Sequence, residues 1–224
     1  MPQDLPPSVR VAMLFKDRRD AGGRLASRLA GYRDREDALV LALPRGGVVT
    51  GHEVARILNC PLDVLIVRKL SFPGQAELAI GAVSETGAVW LNKDIIGSYG
   101  ISGEYIQGEI SREMKEIERR VAVYREGKVI ASLGGRTIIL VDDGVATGAT
   151  MKAAISTLRK CNIAHLVAAF PVASVEARED IRKMADYLVC LSAPFDFIAV
   201  GNYYQDFRQV SDEEVLSLLK TKQQ

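Results

Sequence analysis

The sequence predicts an α/β protein organised on a doubly wound, mainly parallel sheet flanked by helices. Three observations predict it. Between Ala38 and Leu191, short aliphatic runs alternate with longer stretches of helical periodicity, the pattern of parallel strands joined by crossover helices. The clearest run, Thr137 to Val141, reads TIILV without a charge, as strands covered on both faces do. The 224 residues are 48% hydrophobic and 25% charged, and no repeat, low-complexity tract or linker divides them, which suits one large α/β domain over 1–224.

Composition also narrows the function. A formal net charge of +1 argues against a general nucleic-acid surface. Cys60, Cys161 and Cys190 lie far apart in apolar contexts, so buried thiols in a reducing cytosol are expected in place of disulfides or zinc. No apolar run reaches membrane-spanning length, and the start MPQDLPPSVR has no signal-peptide core. A cytoplasmic protein without membrane or nucleic-acid partners is the expectation.

In chain order, Pro2, Pro6 and Pro7 suggest an extended lead-in over the first ten residues. Ala21, Leu25 and Leu29 recur every four residues in a helix from Asp17 to Leu29, with its arginines on a solvated face and Gly31 placed to end it. A strand from Ala38 to Leu43 runs into Pro44-Arg45-Gly46-Gly47, followed by a helix built on Val48, Val54, Ile57 and Leu58. Glycines there allow close backbone approach, the helix N-terminus favours an anion, and Arg45 adds charge. By itself PRGG leaves tight turn and anion loop equally open. The next strand, Val64 to Val67, ends in Arg68-Lys69, which either faces the same cleft or is a solvated pair. Leu70 to Glu77, with Pro73-Gly74, reads as a mobile loop. Strands at Ile80 to Val83 and Ala88 to Leu91 flank Glu85-Thr86-Gly87 as a hairpin extending that arm, with Trp90 a core residue by default. A long helix from Glu104 to Arg125, apolar along Ile106, Ile110, Ile117, Val121 and Tyr124, is expected as scaffold.

The chain is organised around TIILVDDGVATGATM, from Thr137 to Met151. Asp142 and Asp143 stand where the strand ends, and Gly144, Thr147, Gly148 and Thr150 precede a helix. Ligands of open α/β sheets bind outside the carboxyl strand ends, and a helix starting near Gly148 aims amides and a positive dipole at an anion. Carboxylates accept hydrogen bonds from a diol while threonines and amides donate to phosphate, a pairing that ribose 5-phosphate satisfies at both ends. A helix from Met151 to Leu158, a strand from Ile163 to Phe170, a helix from Ser174 to Met184 and a strand from Tyr187 to Leu191 complete the core, about 38–192. His52 and His165, outside any motif, are expected to be structural. The tail, about 193–224, crowds Phe195, Phe197, Tyr203, Tyr204 and Phe207, and Ser211 with Glu214 forms a capping box for a terminal helix through Leu219.

VDDGVATGAT resembles the phosphoribosyl pyrophosphate (PRPP) motif of the type I phosphoribosyltransferases. The resemblance implies that Asp142 and Asp143 meet the ribose hydroxyls. The loop of Gly144, Val145, Ala146, Thr147, Gly148, Ala149 and Thr150 would then wrap the 5-phosphate. Pro44, Arg45, Gly46 and Gly47 stand where the family holds pyrophosphate, with Arg68 and Lys69 beside them; Arg45, Arg68, Asp142 and Asp143 form the implied catalytic set. Magnesium would be carried by substrate oxygens, touching Asp142 or Asp143 indirectly or through water. The arm, with its flexible loop, would close over the site, where Glu77 is a proton carrier or a plain surface acid. A C-terminal hood would recognise the acceptor, with Phe195, Tyr203 and Tyr204 offering ring faces, although such crowding more often makes a satellite core.

Ala146 departs from the Asp that 6-oxopurine enzymes carry there, which disfavours a hypoxanthine or guanine acceptor. The PRGG loop and the QDFRQVSDEEV tail look most similar to bacterial phosphoribosyltransferases of unassigned acceptor. The implied activity is magnesium-dependent transfer of ribose 5-phosphate to a nitrogen acceptor, a nucleobase or related compound, by a homodimer. A PRPP- or nucleotide-binding regulatory module without transferase activity is the alternative, with hydrolysis of a nucleotide-like substrate a third possibility. Asp142 and Asp143, as surface acids at a strand end, are expected to matter little to the fold.

Overall fold

The computed structural model describes residues 15–125, 130 and 132–220, with the side chains of Ala76 and Glu77 left out, so the expected lead-in lies outside the described residues. Helix α1 (Arg18–Arg28) is capped by Asp17, whose carboxylate accepts from the amides of Arg19 and Asp20. Gly31 falls in a 3-10 turn just after it. Strand β1 (Ala38–Ala42), helix α2 (Gly46–Leu58) and strand β2 (Leu62–Val64) make the first crossover unit. An antiparallel arm follows in β3 (Val67–Phe72), β4 (Gln75–Ser84) and β5 (Val89–Leu91). Helices α3 (Lys93–Tyr99) and α4 (Gly103–Arg125) lead back to β6 (Thr137–Val141). Then come α5 (Ala149–Leu158), β7 (His165–Val172), α6 (Val175–Met184), β8 (Tyr187–Ser192) and α7 (Asp212–Lys220).

The main sheet is parallel, in the order β2-β1-β6-β7-β8. Side chains alternate across a strand, and the two faces separate accordingly. Leu39, Leu41, Ile138, Leu140, Leu166 and Ala168 pack with Ile155, Leu158 and Ile181 of α5 and α6. Ala38, Val40, Ile139, Val141, Val167 and Ala169 pack with Leu25, Val54 and Leu58 of α1 and α2. Every residue of β1 and β6 is buried, which is why neither shows polar alternation in sequence. From β1 the chain steps outward to β2, whereas from β6 it steps the other way to β7 and β8. The order reverses between β1 and β6, so the loops leaving these two strands border the crevice where open sheets bind ligands.

Two expectations change. The strand expected at Val64 to Val67 is a junction: β2 ends at Val64, and the chain enters the second sheet at Val67. The loop expected from Leu70 to Glu77 is mostly strand, with β3 and β4 meeting around a turn at Pro73-Gly74, where Gly74 takes a φ of +76°. Aperiodicity misled there because the β3–β4 register shifts at Ser71 and Phe72, which breaks the two-residue alternation. Among the described residues, no helix is long and apolar enough to cross a membrane.

The root of the arm is fastened by charge. Arg125, closing α4 with a side chain only 5% exposed, meets Glu85 and Asp63 and donates to the Val64 carbonyl. Glu85 also accepts from the Ile66 amide at 2.9 Å. Removing one partner of a buried pair strands the other, so Arg125→Met should cost about 3 kcal/mol or more of stability by urea denaturation. Adding Glu85→Gln should recover part of that loss; strict additivity would show that the two residues act independently.

Candidate active site

Strand β6 delivers both acids to the reversal point, where they part. Asp142, half-buried, lines a cleft together with Lys69, Ala79 and the loop from Gly144 onward. Its Oδ1 accepts from the Asp143 amide at 2.9 Å. The Asp143 carboxylate lies 2.6 Å from Nε of Arg18, with side-chain exposures of 15% and 9% respectively. The α1 arginines are therefore not all on a solvated face. Burial, and then the neighbouring Asp143 charge, push the Asp142 carboxyl well above the usual carboxylate range, and Arg18 only partly offsets them.

Beyond the acids, Val145 donates to the Val172 carbonyl at 2.9 Å, and the Ser174 hydroxyl donates to the Ala146 carbonyl at 2.8 Å, anchoring the loop from outside. Gly148 takes a φ of +76°, a left-handed conformation that costs glycine little and lets α5 begin at once. Among the described residues, the amides of Ala146, Thr147 and Gly148 meet no protein acceptor. With the exposed Thr147 hydroxyl and the α5 dipole, they form a cradle for an anion.

The PRGG turn packs against the acid pair at the head of this loop. Its Pro44–Arg45 peptide is cis, and α2 starts directly behind it. A β-carbon on Gly46 would fall 1.9 Å from Asp143 Oδ2, and one on Gly47 would fall 2.9 Å from Asp142 Oδ1. Only glycines let the two loops touch. Arg45 leans away, 38% exposed and 3.7 Å from Asp212 at the start of α7. Asp212 also accepts the Tyr124 hydroxyl at 2.5 Å.

Other expected site residues are redistributed. Arg68 and Lys69 are consecutive in a strand and so cannot share a face. Lys69 lines the cleft, while Arg68 is held 2.7 Å from Glu113 on α4, a helix expected only as scaffold. Of the two readings open for Tyr203 and Tyr204, acceptor faces or satellite core, the second holds: each is 2% exposed, packed with Phe15, Ala21 and Val172. Phe195 is 98% exposed. Phe197 and Ile198 instead line a second cavity, which adjoins the cleft at Ala146 and Thr147 and is closed by Trp90. Lys152, 2.6 Å from Asp180 and 5.1 Å from the Trp90 ring centroid, also lines it. Its one sequence signal is a charge set among Met151, Ala153 and Ala154; Arg18 had none. Glu77 lies within β4, its side chain outside the described residues, and both histidines lie away from the cleft. No cluster of three or more His, Cys, Asp or Glu among the described residues forms a metal cage.

Residues 13–206 match the phosphoribosyl transferase domain. "Putative phosphoribosyl transferase Rv0571c" of Mycobacterium tuberculosis H37Rv is 42% identical over 206 residues, covering 92% of this chain and 46% of the relative. The matching protein of strain CDC 1551, MT0597, gives the same figures, so the chain spans about half the length of the curated relatives it matches. The crystal structure of TT1426 from Thermus thermophilus superposes with a TM-score of 0.77 at 45% identity, covering 92% of this chain and 98% of that one.

The two acids should respond oppositely to neutralisation. A carboxyl held above its unfolded pKa binds its proton more tightly when folded, so its contribution to stability is greatest in acid and is lost as pH rises through the folded pKa. Asp142→Asn should therefore stabilise the ligand-free protein at pH 7 by about 1 kcal/mol. Asp143→Asn leaves the Arg18 guanidinium buried without its carboxylate and should cost about 3 kcal/mol. Urea denaturation at pH 5 and pH 8 checks both signs; equal effects would show that the acids share one environment.

Proposed function

Because the chain belongs to the phosphoribosyltransferase family, we propose that it transfers ribose 5-phosphate from PRPP to a nitrogen acceptor, a nucleobase or related compound, and releases pyrophosphate. The observation that carries this reading is the contact of the two glycine loops across the reversal point, with the Asp142 carboxylate between them. With a phosphate ester at the loop from Gly144 and a pyrophosphate at the PRGG turn, the sugar would lie beside Asp142.

In the reaction, the acceptor nitrogen bonds to C1 of the ribose as the C1–oxygen bond to pyrophosphate breaks. Positive charge grows on the ring and negative charge on the leaving group. Asp142 lies on the side where the cation develops, while the α2 amides and Lys69 favour the departing anion. The amides of Ala146, Thr147 and Gly148 with the Thr147 hydroxyl hold the 5-phosphate, and Thr150 stands in the first turn of the helix behind them. Ala146 supplies no base, so the acceptor is one that loses its proton elsewhere, consistent with a site not built for 6-oxopurines. The second cavity, with Trp90 and Phe197 on its walls, suits a planar acceptor beside C1.

Magnesium fits as an ion brought by the substrate, since the described residues hold no dedicated cage and Asp142 alone opens its carboxylate to the cleft. When bound, it supplies charge neutralisation on the pyrophosphate oxygens. A second reading, a PRPP-binding module without transfer, is favoured by one observation: Arg45 and Arg68 are engaged by Asp212 and Glu113 outside the cleft.

Calorimetry with PRPP and magnesium should detect binding in the parent and a loss of about tenfold or more in Asp142→Asn, the worth of one charge-assisted contact. Unaltered affinity would count against the assignment. Pyrophosphate release with one acceptor from a panel, abolished by EDTA, separates the transferase from the binding module.

A further inference from the structure

The residue that reaches the site from farthest away has no part in the reaction just described. Arg18, 125 positions before Asp143 in sequence, is 8% exposed, and its guanidinium makes three contacts. Nε lies 2.6 Å from Asp143 Oδ2, Nη1 donates to the Arg208 carbonyl at 2.8 Å, and the central carbon sits 3.9 Å from the centroid of the Phe207 ring. Asp143 is gripped a second time where its backbone carbonyl accepts the Tyr204 hydroxyl at 2.5 Å. The ion pair also backs onto the other loop: a β-carbon on Gly46 would come within 2.9 Å of Arg18 Nε as well as 1.9 Å of the Asp143 carboxylate. One guanidinium thus joins Asp143 to the C-terminal tail and lies directly behind the PRGG turn.

We infer that Arg18 is the positioning residue of the sugar-phosphate site, holding Asp143 back from the cleft and beneath Gly46 so that Asp142 alone presents its carboxylate to the ligand. Arg18 is absent from the lining of the ligand cleft, so it acts through Asp143 and not on substrate. Without a cation behind them, two adjacent carboxylates would repel each other and the loop that carries them would shift. The work needs an arginine. Its planar fork gives one N–H to a carboxylate and another to a carbonyl while its face lies on a ring, three contacts that a lysine ammonium cannot make together. Phe207 and Arg208 fix the guanidinium in turn, and this makes the tail part of the sugar site without touching the sugar. The identity of the ligand rests on the function proposed above; the placement of the acids does not.

The test uses Arg18→Met and Arg18→Lys in the full chain with two readouts. In ligand-free protein, hydrogen exchange over residues 142–150 should quicken in Arg18→Met by about tenfold more than that of β7 and β8, because the loss of a local anchor adds to the global loss that breaking a buried pair brings. Calorimetry with PRPP and magnesium should show about tenfold weaker binding in both variants, and Arg18→Met combined with Asp143→Asn should bind no more weakly than the worse single change, since both break one contact. Unchanged exchange over 142–150 together with parent-like PRPP affinity in Arg18→Met overturns the inference, as does a fully additive double variant. If Arg18→Met fails to fold, Arg18→Lys decides, and parent behaviour in both readouts overturns it. If the parent itself binds no PRPP, the proposed function falls and the exchange measurement alone decides the role of Arg18.

Discussion

The site depends on the parallel pairing of β1 with β6. Their register sets Ala42 against Val141, so both strands stop at the same level and their loops leave side by side. In most sheets two adjacent loops would be kept apart by side chains. Here Gly46 and Gly47 remove that obstacle, and Asp142 and Asp143 occupy the space a β-carbon would need. The N-termini of α2 and α5 therefore follow the same ends of two adjacent strands. Each brings unpaired amides and a partial positive charge, so the crevice suits a ligand with an anionic group at either end. Shifting β6 by one residue would exchange its two packed faces and offset the loops, so the core that stabilises the sheet also sets the geometry of the site.

Two carboxylates beside those amides pose an electrostatic problem that the fold solves unequally. Asp143 is matched by Arg18 and withdrawn, whereas Asp142 stays at the cleft with its ionised form penalised by burial. A penalty in the free protein is relieved by a ligand that donates hydroxyls or arrives with a cation, so part of the binding energy is stored as the discomfort of one acid. That inequality could not be read from the pair of letters DD. It is set by Arg18 on a helix 125 positions away, whose other arginines are indeed largely exposed.

What was legible in the sequence was whatever is written locally. The blocks ALVLA and TIILV announce buried parallel strands, and the step from aliphatic run to paired acids, glycines and threonines announces a loop and helix N-terminus. Long-range pairings left no such mark. Glu109 and Glu113 on α4 look like one more acidic face of a solvated helix, yet both are buried, one accepting from the Ser71 amide at 3.3 Å and the other holding Arg68. Tyr203 and Tyr204 carry a composition that suits either a stacking surface or a satellite core, and packing against Phe15 decides for core. The arm shows the same limit, because the register shift that hid β3 depends on its partner strand.

These pairings place the mobile charges of the site under outside control. In the ligand-free protein, Arg45 answers to Asp212 on α7, and Arg68 to Glu113 on α4. In the proposed reaction an arriving pyrophosphate would compete with both carboxylates, and the two contests would be unequal. The Arg45 contact is long and well exposed, at 3.7 Å, so it yields for little. The Arg68 contact is short, at 2.7 Å, and its acid is 8% exposed; removing Arg68 would leave a buried carboxylate with Arg112 as its remaining cation. Arg45 is thus the arginine free to turn inward on binding, and Arg68 the one that keeps the arm seated on α4 while it does. On that proposal the pyrophosphate would rely on the α2 amides, Lys69 of the cleft and a recruited Arg45, groups carried by two different sheets. Under the proposed function, closing these groups on one anion would fasten the arm to the core, since they belong to the two different sheets.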